Sequence, residues 1–426
     1  MISRIKGTND IIEDSKVWEW LEEKLKNVAL NFGFVEVRTP IFEATELFNR
    51  SVGNETDIVQ KEMYTFEDKG GRSITLRPEG TAPVMRAFIE NNLSSKGLPQ
   101  KLFYCGPMFR YERPQAGRLR QFHQFGVELI GSPLPIADAM TILLAIEMLK
   151  TIGLDKFKLK INSTGDEKCR PSYVEALKAY YKPFLNDLCD DCKVRYDRNV
   201  LRLLDCKKDA KYAESAPKIT NYLCDDCKSH FDKLKKYLDD MEIEYEVDPA
   251  IVRGLDYYTR TVFEFKYPNL GAQDAIGGGG RYDGLIKELG GAKVPSIGFA
   301  FGIERLILAL EEEKKLPEIE GLDIYIISID EDQRIEALKI ANALSKYFKV
   351  DVDVMGRNVK GQFSLASKEN ARYTVVIGEE EIKTGLYTLK NMKTGEQWKV
   401  RLSEIIKIVS GSAETEIRDQ RKSGDL

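Results

Sequence analysis

One short stretch of the chain, residues 101–124, carries five basic side chains and a single acid, Glu112. The basic residues are Lys101, Arg110, Arg113, Arg118 and Arg120. A guanidinium group is planar, stays charged and donates two parallel hydrogen bonds, so arginines suit the binding of phosphate. The interleaved Phe109, Tyr111 and Phe122 could stack on a base. The pattern therefore indicates a site for a phosphorylated aromatic compound, although a solvated hairpin with ordinary surface arginines fits it equally well.

Two further arginines, Arg253 and Arg305, lie in apolar or glycine-rich surroundings. A buried guanidinium without a partner is costly, so each should pair with a structural carboxylate or face an anionic ligand. The chain has neither the Gly-x4-Gly-Lys-Ser/Thr phosphate loop nor the Gly-x-Gly-x-x-Gly fingerprint. A nucleotide would therefore have to be bound through side chains.

The cysteines form a second candidate site. Six of the seven lie between residues 165 and 235, where Cys189-Asp-Asp-Cys192 and Cys224-Asp-Asp-Cys227 flank Cys206. A gap of two residues lets both thiolates reach one tetrahedral ion. We expect one structural zinc ion held by Cys189, Cys192, Cys224 and Cys227, with Cys206 as a substitute ligand. Reduced thiols without a metal and redox chemistry remain open alternatives.

The elements that must position these residues can be predicted from their apolar spacing. Residues 15–32 have apolar side chains three and four positions apart, which predicts an amphipathic helix, and residues 34–40 alternate as a strand. Short strands joined by Gly/Pro turns up to about residue 135 favour an antiparallel sheet. Residues 137–151 are predicted to form an apolar helix. The apolar run over residues 297–310 is predicted to form a buried helix.

The rest of the chain divides into an insertion and a second domain. Residues from about 165 to 235 have helical spacing and indicate an inserted helical module. A charged linker ends near residue 320, and strands alternate with helices from 323 to 377, which predicts a small parallel α/β domain over residues 321–410. The tail, residues 411–426, has little to bury and is expected to be disordered.

Charge and hydropathy exclude several classes of protein. The 426 residues include 64 Lys+Arg and 68 Asp+Glu, so any binding of nucleic acid must come from local basic surfaces rather than from net charge. There is no apolar run near the roughly 18 residues that a membrane span needs, and no hydrophobic signal region at the start. We therefore expect a cytoplasmic protein without a membrane partner.

Several segments, in order, are similar to the motifs of class II aminoacyl-tRNA synthetases. Residues 109–114 together with 118–128 resemble motif 2, residues 298–305 resemble motif 3, and the helix and strand that end at Pro40 resemble motif 1. Residues 253–264 and 278–284 are more specific. They resemble the two peptides particular to the histidyl-tRNA synthetase family, and the likeness covers residues 1 to about 400.

This resemblance implies an α+β fold with three parts. A six-stranded antiparallel catalytic sheet flanked by helices occupies residues 1–320, with the helical insertion inside it, and a C-terminal α/β anticodon-binding domain follows. The family uses ATP with Mg²⁺ to activate L-histidine as histidyl-adenylate, releases pyrophosphate, and transfers histidine to the 3′ end of tRNA(His). It usually works as a homodimer built through motif 1.

Two rival functions remain. One is the non-catalytic, histidine-sensing regulatory paralogue of ATP phosphoribosyltransferase, which normally lacks the anticodon-binding domain and departs from the arginine motifs. The other is a class II synthetase for a different amino acid, against which residues 253–258 and 278–284 argue.

The resemblance also assigns roles to individual residues. Arg253 and Arg110 are the expected catalytic residues. The ATP-binding set is Arg110, Glu112, Arg118, Phe122 and Arg305. The histidine-binding set is Glu79, Gly80, Thr81, Gln124, Glu128, Arg253, Tyr257 and Tyr258. Without the resemblance, Glu79 would be a simple loop acid and Glu128 a charge on a sheet face.

Two further assignments are less specific. His123 is one of only two histidines and stands beside Phe122, and we leave it off the catalytic set as a structural residue. Anticodon recognition would fall to a basic stretch in the second domain, although a solvated helix face fits this stretch nearly as well. The stretch consists of Arg357, Lys360, Lys368 and Arg372.

Overall fold

The computed structural model describes residues 2–53, 56–206, 208–251, 255–268, 270, 274–318 and 321–411. The chain forms two compact units, Met1–Pro317 and Glu318–Leu426. The boundary predicted at residue 320 lies in the same charged linker as this division. After Gly411, the tail that was expected to be disordered lies outside the described residues.

The first unit is built on one large sheet. Its strands and those of a smaller sheet are β1 (Val35–Glu36), β2 (Phe42–Ala44), β3 (Tyr64–Glu67), β4 (Ser73–Leu76), β5 (Gln100–Phe109), β6 (Gln121–Ile130), β7 (Lys158–Ser163), β8 (Glu246–Val247), β9 (Thr259–Lys266), β10 (Ala275–Arg281) and β11 (Ser296–Gly302). Within the described residues the large sheet has the order β1-β5-β6-β11-β10-β9-β7-β8. The six strands from β5 to β7 in this order pair antiparallel. The predicted six-stranded antiparallel sheet is confirmed, and β1 and β8 extend it as short parallel edges.

Helices cover this sheet. They are α1 (Ser15–Asn31), α2 (Thr45–Val52), α3 (Thr81–Glu90), α4 (Pro135–Thr151), α5 (Arg170–Tyr181), α6 (Asp190–Arg198), α7 (Ala210–Ala213), α8 (Asp225–Asp240), α9 (Leu285–Glu288) and α10 (Ile303–Glu312). The amphipathic helix predicted from residue 15 is confirmed as α1, which buries Val17, Leu21 and Leu25 against the core of the sheet. Helix α4 packs in the same core and is apolar on nearly all sides, which fits its burial.

One predicted helix is wrong over its first part. The apolar run that starts at Ile297 is strand β11 up to Gly302, and helix α10 begins only at Ile303. The side chains of Phe299 and Phe301 belong to the core of the sheet, and Gly298, Phe299 and Ala300 contribute atoms to the pocket described below. Alternation of this kind is typical of a strand, but an uninterrupted apolar run does not distinguish a strand from a buried helix.

The predicted helical insertion is confirmed between β7 and β8. Helices α5 to α8 span Arg170–Asp240. Tyr173, Leu177, Tyr181 and Leu203 are among the residues of a separate small core inside it. Helices α5 to α7 are therefore held by a core of their own, whereas α8 packs Phe231, Leu234 and Leu238 in the core of the sheet.

The second unit is the expected α/β domain. Its elements are β12 (Ile324–Ser328), α11 (Arg334–Leu344), β13 (Val350–Val352), α12 (Val359–Lys368), β14 (Tyr373–Ile377), α13 (Glu379–Thr384), β15 (Tyr387–Asn391), β16 (Gln397–Val400) and α14 (Leu402–Val409). The sheet order is β13-β12-β14-β15-β16, in which β12 pairs parallel with β13 and β14. The antiparallel strands β15 and β16 and helix α14 were not predicted from the sequence. None of the helices in the described part of either unit is long and apolar enough to cross a membrane.

A buried ionic network ties the insertion and α4 to the sheet. The Asp138 carboxylate of α4, which is fully buried, pairs with Arg281 of β10 at 2.7 Å and with His230 Nε2 of α8 at 2.7 Å. The hydroxyl of Thr261 in β9 donates to the same carboxylate at 2.6 Å. Burial by itself would raise the pKa of Asp138, but the Arg281 charge and the His230 contact lower it overall. The Asp138 carboxylate is therefore charged, and the positive charge of Arg281 compensates it within the core.

We predict that Asp138→Asn lowers the free energy of unfolding by about 3 to 5 kcal/mol, the cost of leaving a buried charge without its partner. Urea unfolding of the purified variant at pH 7 measures this loss. Asp155→Asn is the matched control, because Asp155 pairs with Lys315 at the surface and should leave the unfolding midpoint unchanged. Equal midpoints for Asp138→Asn and the unmodified chain would contradict the prediction.

Candidate active site

The first unit contains a polar pocket of about 280 Å³ on the sheet. It is lined by the loop between β5 and β6, the start of α3, the segment before β9, strands β10 and β11, and the start of α10. Two groups of lining residues give it its character. We call Arg110, Arg118 and Arg305 the arginine cluster, and Tyr257, Tyr258 and Tyr282 the tyrosine cluster.

Backbone and aromatic contacts fix Arg110, which follows directly after β5. Its Nε donates a hydrogen bond to the carbonyl of Pro78 at 2.8 Å. Its guanidinium carbon lies 5.3 Å from the centre of the Phe122 ring, which is within cation–π range. These two contacts therefore orient the Arg110 side chain, and neither of them involves a carboxylate that would neutralise its charge.

The other two members of the cluster come from different segments. Arg118 Nε lies 2.5 Å from the carboxylate of Glu112. Arg305, in the first turn of α10, donates from Nε to the carbonyl of Gly117 at 3.0 Å and from Nη1 to the carbonyl of Ala275. Burial lowers the pKa of Arg305, and the positive charge of Arg118 lowers it further, while Glu112 opposes the change. The guanidinium groups therefore lie close enough to repel one another, and an anionic ligand would relieve that repulsion.

Glu79 and Thr81 are positioned by the start of α3. The Glu79 carboxylate accepts hydrogen bonds from the backbone N–H groups of Thr81 at 2.7 Å and Ala82 at 2.8 Å, as a capping residue does. Burial raises the pKa of Glu79, although these hydrogen bonds and the Arg110 charge oppose it. Gly80 does not line the pocket. A Cβ at Gly80 would lie 2.2 Å from the Tyr104 ring, so the glycine makes room for that tyrosine.

Glu128 lies one layer behind the pocket wall. It is fully buried, and its two oxygens accept hydrogen bonds from the hydroxyls of Thr81, at 2.7 Å, and Tyr282. Burial raises the pKa of Glu128 to about 8, because the loss of water outweighs those hydrogen bonds. A direct contact between Glu128 and an imidazole stays a prediction. In the structure, Glu128 holds two hydroxyl-bearing residues that do line the pocket.

The tyrosine cluster is packed tightly. The rings of Tyr257 and Tyr258 lie 4.8 Å apart, and those of Tyr257 and Tyr282 lie 5.5 Å apart. Tyr282, Tyr104 and Glu304 also line the pocket but were not predicted from the sequence. Tyr282 could have been found, because it stands inside the glycine-rich peptide 278–284. No local signal marks Tyr104, whose ring occupies space left by glycines on other segments.

Gln124 presents a polar atom that suits a ligand. Its Oε1 atom is buried, and within the described part of the chain it accepts no hydrogen bond. Buried side-chain oxygens are normally paired, so this atom is suited to accept a hydrogen bond from a donor bound in the pocket. The next residue towards the N-terminus, His123, is engaged elsewhere. Its Nδ1 atom lies 3.0 Å from Glu304, and its ring contacts Trp18 edge-on at 4.8 Å.

Most of the residues that the sequence analysis selected therefore surround one cavity. Those that line it are Glu79, Thr81, Arg110, Glu112, Arg118, Phe122, Gln124, Tyr257, Tyr258 and Arg305. Gly80 and Glu128 support the wall instead. Arg253 lies outside the described residues, so its predicted catalytic role stays a prediction.

The expected grouping of four cysteines around one zinc ion is wrong. Cys189 and Cys192 lie with Cys206, whereas Cys224 and Cys227 lie in a separate group with Cys169. The physical reason is that each Cys-x-x-Cys pair stands at the start of its own helix, α6 or α8. Packing of the insertion then brings a different third cysteine to each pair.

Comparison with known proteins agrees with this arrangement. A family model described as histidyl-tRNA synthetase matches residues 8–306, and a second, described as an anticodon binding domain, matches residues 323–411. The histidine–tRNA ligase of Thermosipho africanus is 57% identical over 409 residues, which are 95% of this chain and 98% of that protein.

Solved structures are also similar. The crystal structure of Staphylococcus aureus histidyl-tRNA synthetase has 41% identity and a TM-score of 0.80, and the match covers 96% of this chain and 100% of that one. A Bacillus halodurans structure described as an ATP phosphoribosyltransferase regulatory subunit/histidyl-tRNA synthetase has a TM-score of 0.62, with 89% and 99% covered. At 22% identity, this second likeness shows the fold alone.

We predict that Glu128→Gln flattens the pH dependence of stability. The folded-state pKa of about 8 exceeds the ordinary value of 4.5, so between these values the folded chain holds a proton that the unfolded chain releases. The stability that Glu128 contributes is complete below about pH 4.5 and is lost as the pH rises to 8. Urea unfolding midpoints at pH 5 and pH 8 should therefore differ less in Glu128→Gln than in the unmodified chain. The exposed Glu13→Gln is the control and should leave the difference unchanged.

Proposed function

The chain belongs to the histidyl-tRNA synthetase family, and we propose that it is a histidine–tRNA ligase whose active site is the pocket between the arginine and tyrosine clusters. It joins L-histidine to ATP to give histidyl-adenylate and pyrophosphate, then transfers histidine to the 3′ end of tRNA(His). The observation that carries this proposal is the convergence of Arg110 and Arg118 of the β5–β6 loop and Arg305 of α10 on one cavity. The same cavity is also lined by Glu79, Thr81 and Gln124.

The arginine cluster suits the activation step. A carboxylate oxygen of histidine attacks the α-phosphorus of ATP, and the bond to pyrophosphate breaks, so negative charge develops at the phosphates. Fixed positive groups lower the barrier because they need not reorient during the reaction. Arg110, held by the Pro78 carbonyl and the Phe122 ring, is assigned to the α-phosphate. Arg118 and Arg305 are assigned to the outer phosphates.

The base of ATP would be recognised beside these arginines. Phe122 offers an aromatic face, and the carboxylate of Glu112 can accept a hydrogen bond from the exocyclic amino group of adenine. Glu112 also pairs with Arg118, which fixes both side chains in the pocket wall. Magnesium normally enters with a nucleoside triphosphate and is held by the phosphates with one or two carboxylates, for which the Glu112 oxygens are suitable donors.

The other lining residues suit histidine itself. Glu79, Thr81 and the buried Gln124 Oε1 can accept hydrogen bonds from the α-ammonium group. A neutral imidazole has one hydrogen-bond donor and one acceptor. The hydroxyl of Tyr258, together with Glu128 and the hydroxyls that it holds, can pair with both ring nitrogens. A polar site of this kind discriminates strongly against analogues without the ring, because its buried groups would be left unpaired.

The proposal extends to tRNA and to a second subunit. Lys360 and Lys368 of α12 are exposed and could contact the anticodon region, whereas Arg357 and Arg372 already pair with Asp353 and Asp323. A homodimer through motif 1 is supported by exposed apolar side chains after α1. These are Val35, Ile41 and Phe42. Structural zinc in the insertion stays a proposal.

The test of the proposed function is pyrophosphate exchange into ATP, measured with each amino acid in turn. We expect exchange with L-histidine and not with proline or threonine. No exchange with any amino acid would support the regulatory paralogue, and exchange with another amino acid would support a synthetase of different specificity.

We predict that Arg305→Ala folds but loses histidine-dependent exchange by about 10² to 10³, the scale of removing one preorganised group that stabilises charge. Arg334→Ala is the matched control, because Arg334 lies in the second unit beside Glu331 and takes no part in activation. Exchange at the control rate in Arg305→Ala would contradict the assignment, provided that unfolding midpoints show both variants folded.

Arg253→Ala tests the residue that the resemblance places against both the histidine carboxylate and the α-phosphate. We expect it to fold and to lose exchange by about 10² to 10³ as well. Arg253→Lys should recover only part of the rate, because an ammonium group cannot make two parallel hydrogen bonds. Near-normal exchange in Arg253→Ala would exclude a catalytic role.

A further inference from the structure

The insertion contains two compact groups of thiols, each with one carboxylate. We call Cys189, Cys192, Cys206 and Asp209 the core cluster, because its cysteines belong to the insertion's own core. The hinge cluster consists of Asp166, Cys169, Cys224 and Cys227. In each cluster, one ligand atom from every residue lies within 4.8 Å of the others.

The distances fit a tetrahedral ion in both clusters. With zinc–sulfur bonds of about 2.3 Å, neighbouring sulfurs of a tetrahedron stand about 3.8 Å apart. Cys189 Sγ and Cys206 Sγ are 3.8 Å apart. In the hinge cluster, Asp166 Oδ1 lies 3.8 Å from Cys224 Sγ and 3.2 Å from Cys169 Sγ. All these separations leave room for one ion and are far longer than the 2.05 Å of a disulfide bond.

The two clusters repeat one local design. Each uses a Cys-Asp-Asp-Cys segment whose first cysteine caps a helix, Cys189 for α6 and Cys224 for α8. The first cysteine of each segment therefore stands where backbone N–H groups of the helix lack intrahelical partners. Each cluster adds a cysteine and an aspartate three residues apart, Cys206 with Asp209 and Asp166 with Cys169. Two independent occurrences of the same ligand set argue for a shared purpose.

Simple packing of reduced thiols accounts poorly for the carboxylates. Asp209 is buried, and carboxylates are rarely buried unless they are paired or bind a metal. The amide of Cys189 donates to Asp209 Oδ2 at 3.0 Å, and Cys206 Sγ lies 3.8 Å from the same oxygen. A divalent cation would coordinate this carboxylate and three thiolates together and offset two of their four negative charges.

The ligand set selects the kind of ion. Three thiolates with one carboxylate at tetrahedral spacing are typical ligands of zinc. An iron–sulfur cluster is excluded by geometry, because its irons and sulfides would separate the cysteine sulfurs further than these groups allow. We propose that the chain carries two structural zinc ions, one in the core cluster and one in the hinge cluster, each held by three cysteines and one aspartate. Binding of each ion releases the protons of its three thiols.

The positions of the two ions define their roles. The hinge cluster lies where the insertion leaves the sheet, since Thr164 and Gly165 pair through their backbone with Arg260 of β9. It therefore ties the beginning of the insertion to its last helix, α8. The core cluster lies inside a small apolar core, where a metal adds stability that packing alone supplies poorly.

The test is a metal count on the untagged, unmodified chain, purified under reducing conditions without chelator. We expect two equivalents of zinc per chain by emission spectroscopy, and native mass spectrometry should show a mass increase of two ions. A count of one equivalent or fewer would overturn the two-site proposal. Two zinc ions that stay bound after the chain is denatured and all seven thiols are blocked by alkylation would also overturn it.

Variants locate the ions. Cys192→Ser and Cys227→Ser should each retain one equivalent, and the double variant none. Cys105→Ser is the matched control, because Cys105 belongs to neither cluster and should retain two equivalents. Retention of two equivalents in either single variant would overturn the assignment.

If a single variant does not fold, cobalt replacement in the unmodified chain decides the question. We expect tetrahedral d–d bands and thiolate-to-cobalt charge transfer that reach their final intensity at two equivalents. Octahedral bands, or an end point at one equivalent, would contradict the proposal.

Discussion

Repulsion among guanidinium groups that line one pocket is the constraint on which the active site depends. Arg110 and Arg118 come from the β5–β6 loop and Arg305 from α10, nearly 190 positions further along the chain, yet all three line the same cavity. Carbonyl groups hold Arg110 and Arg305 in place, and these dipoles orient the side chains without cancelling a full charge. The Glu112 carboxylate compensates only part of the excess. The pocket is therefore preorganised to bind an anion. A nucleoside triphosphate is such an anion, and further negative charge develops when its α-phosphorus is attacked.

Space beside the arginines depends on glycines in the central strands. A Cβ at Gly298 would lie 2.1 Å from a Glu128 oxygen, and a Cβ at Gly279 would lie 1.9 Å from the Gly298 carbonyl oxygen. These glycines let β10 and β11 form a floor to which side chains from other segments can come close. The Glu128 carboxylate then reaches the hydroxyls of Thr81 and Tyr282 from behind that floor. The arginines of a loop and of helix α10 thus provide the positive charge, whereas the glycines of β10 and β11 determine the shape of the pocket.

The insertion is connected to this sheet through polar as well as apolar contacts, since Phe231, Leu234 and Leu238 of α8 pack in the core of the sheet. Asp138 of α4, Arg281 of β10 and His230 of α8 meet in a site without solvent. The hinge cluster lies close to the same region of α8 and β9, since Arg260 Nη2 approaches Asp166 at 3.8 Å. Charged and metal-binding groups have strict distance requirements, so they can fix the position of a module whose own core is small. This fits a part of the chain that must keep its place beside the active site.

The sequence by itself determined the features that depend on neighbouring residues. Helical spacing predicted α1, alternating strands and helices predicted the parallel part of the second unit, and ordered motifs identified the residues that line the pocket. The tertiary structure decided which groups with the same chemistry come together. An apolar run could not distinguish β11 from a helix, and two identical Cys-Asp-Asp-Cys segments could not show that each has a partner of its own. Likewise, Glu128 could not be placed behind Tyr282 until the strands were aligned. Local pattern fixes the type of a side chain and the element that carries it, whereas its neighbours across the fold follow from packing between segments far apart in the chain.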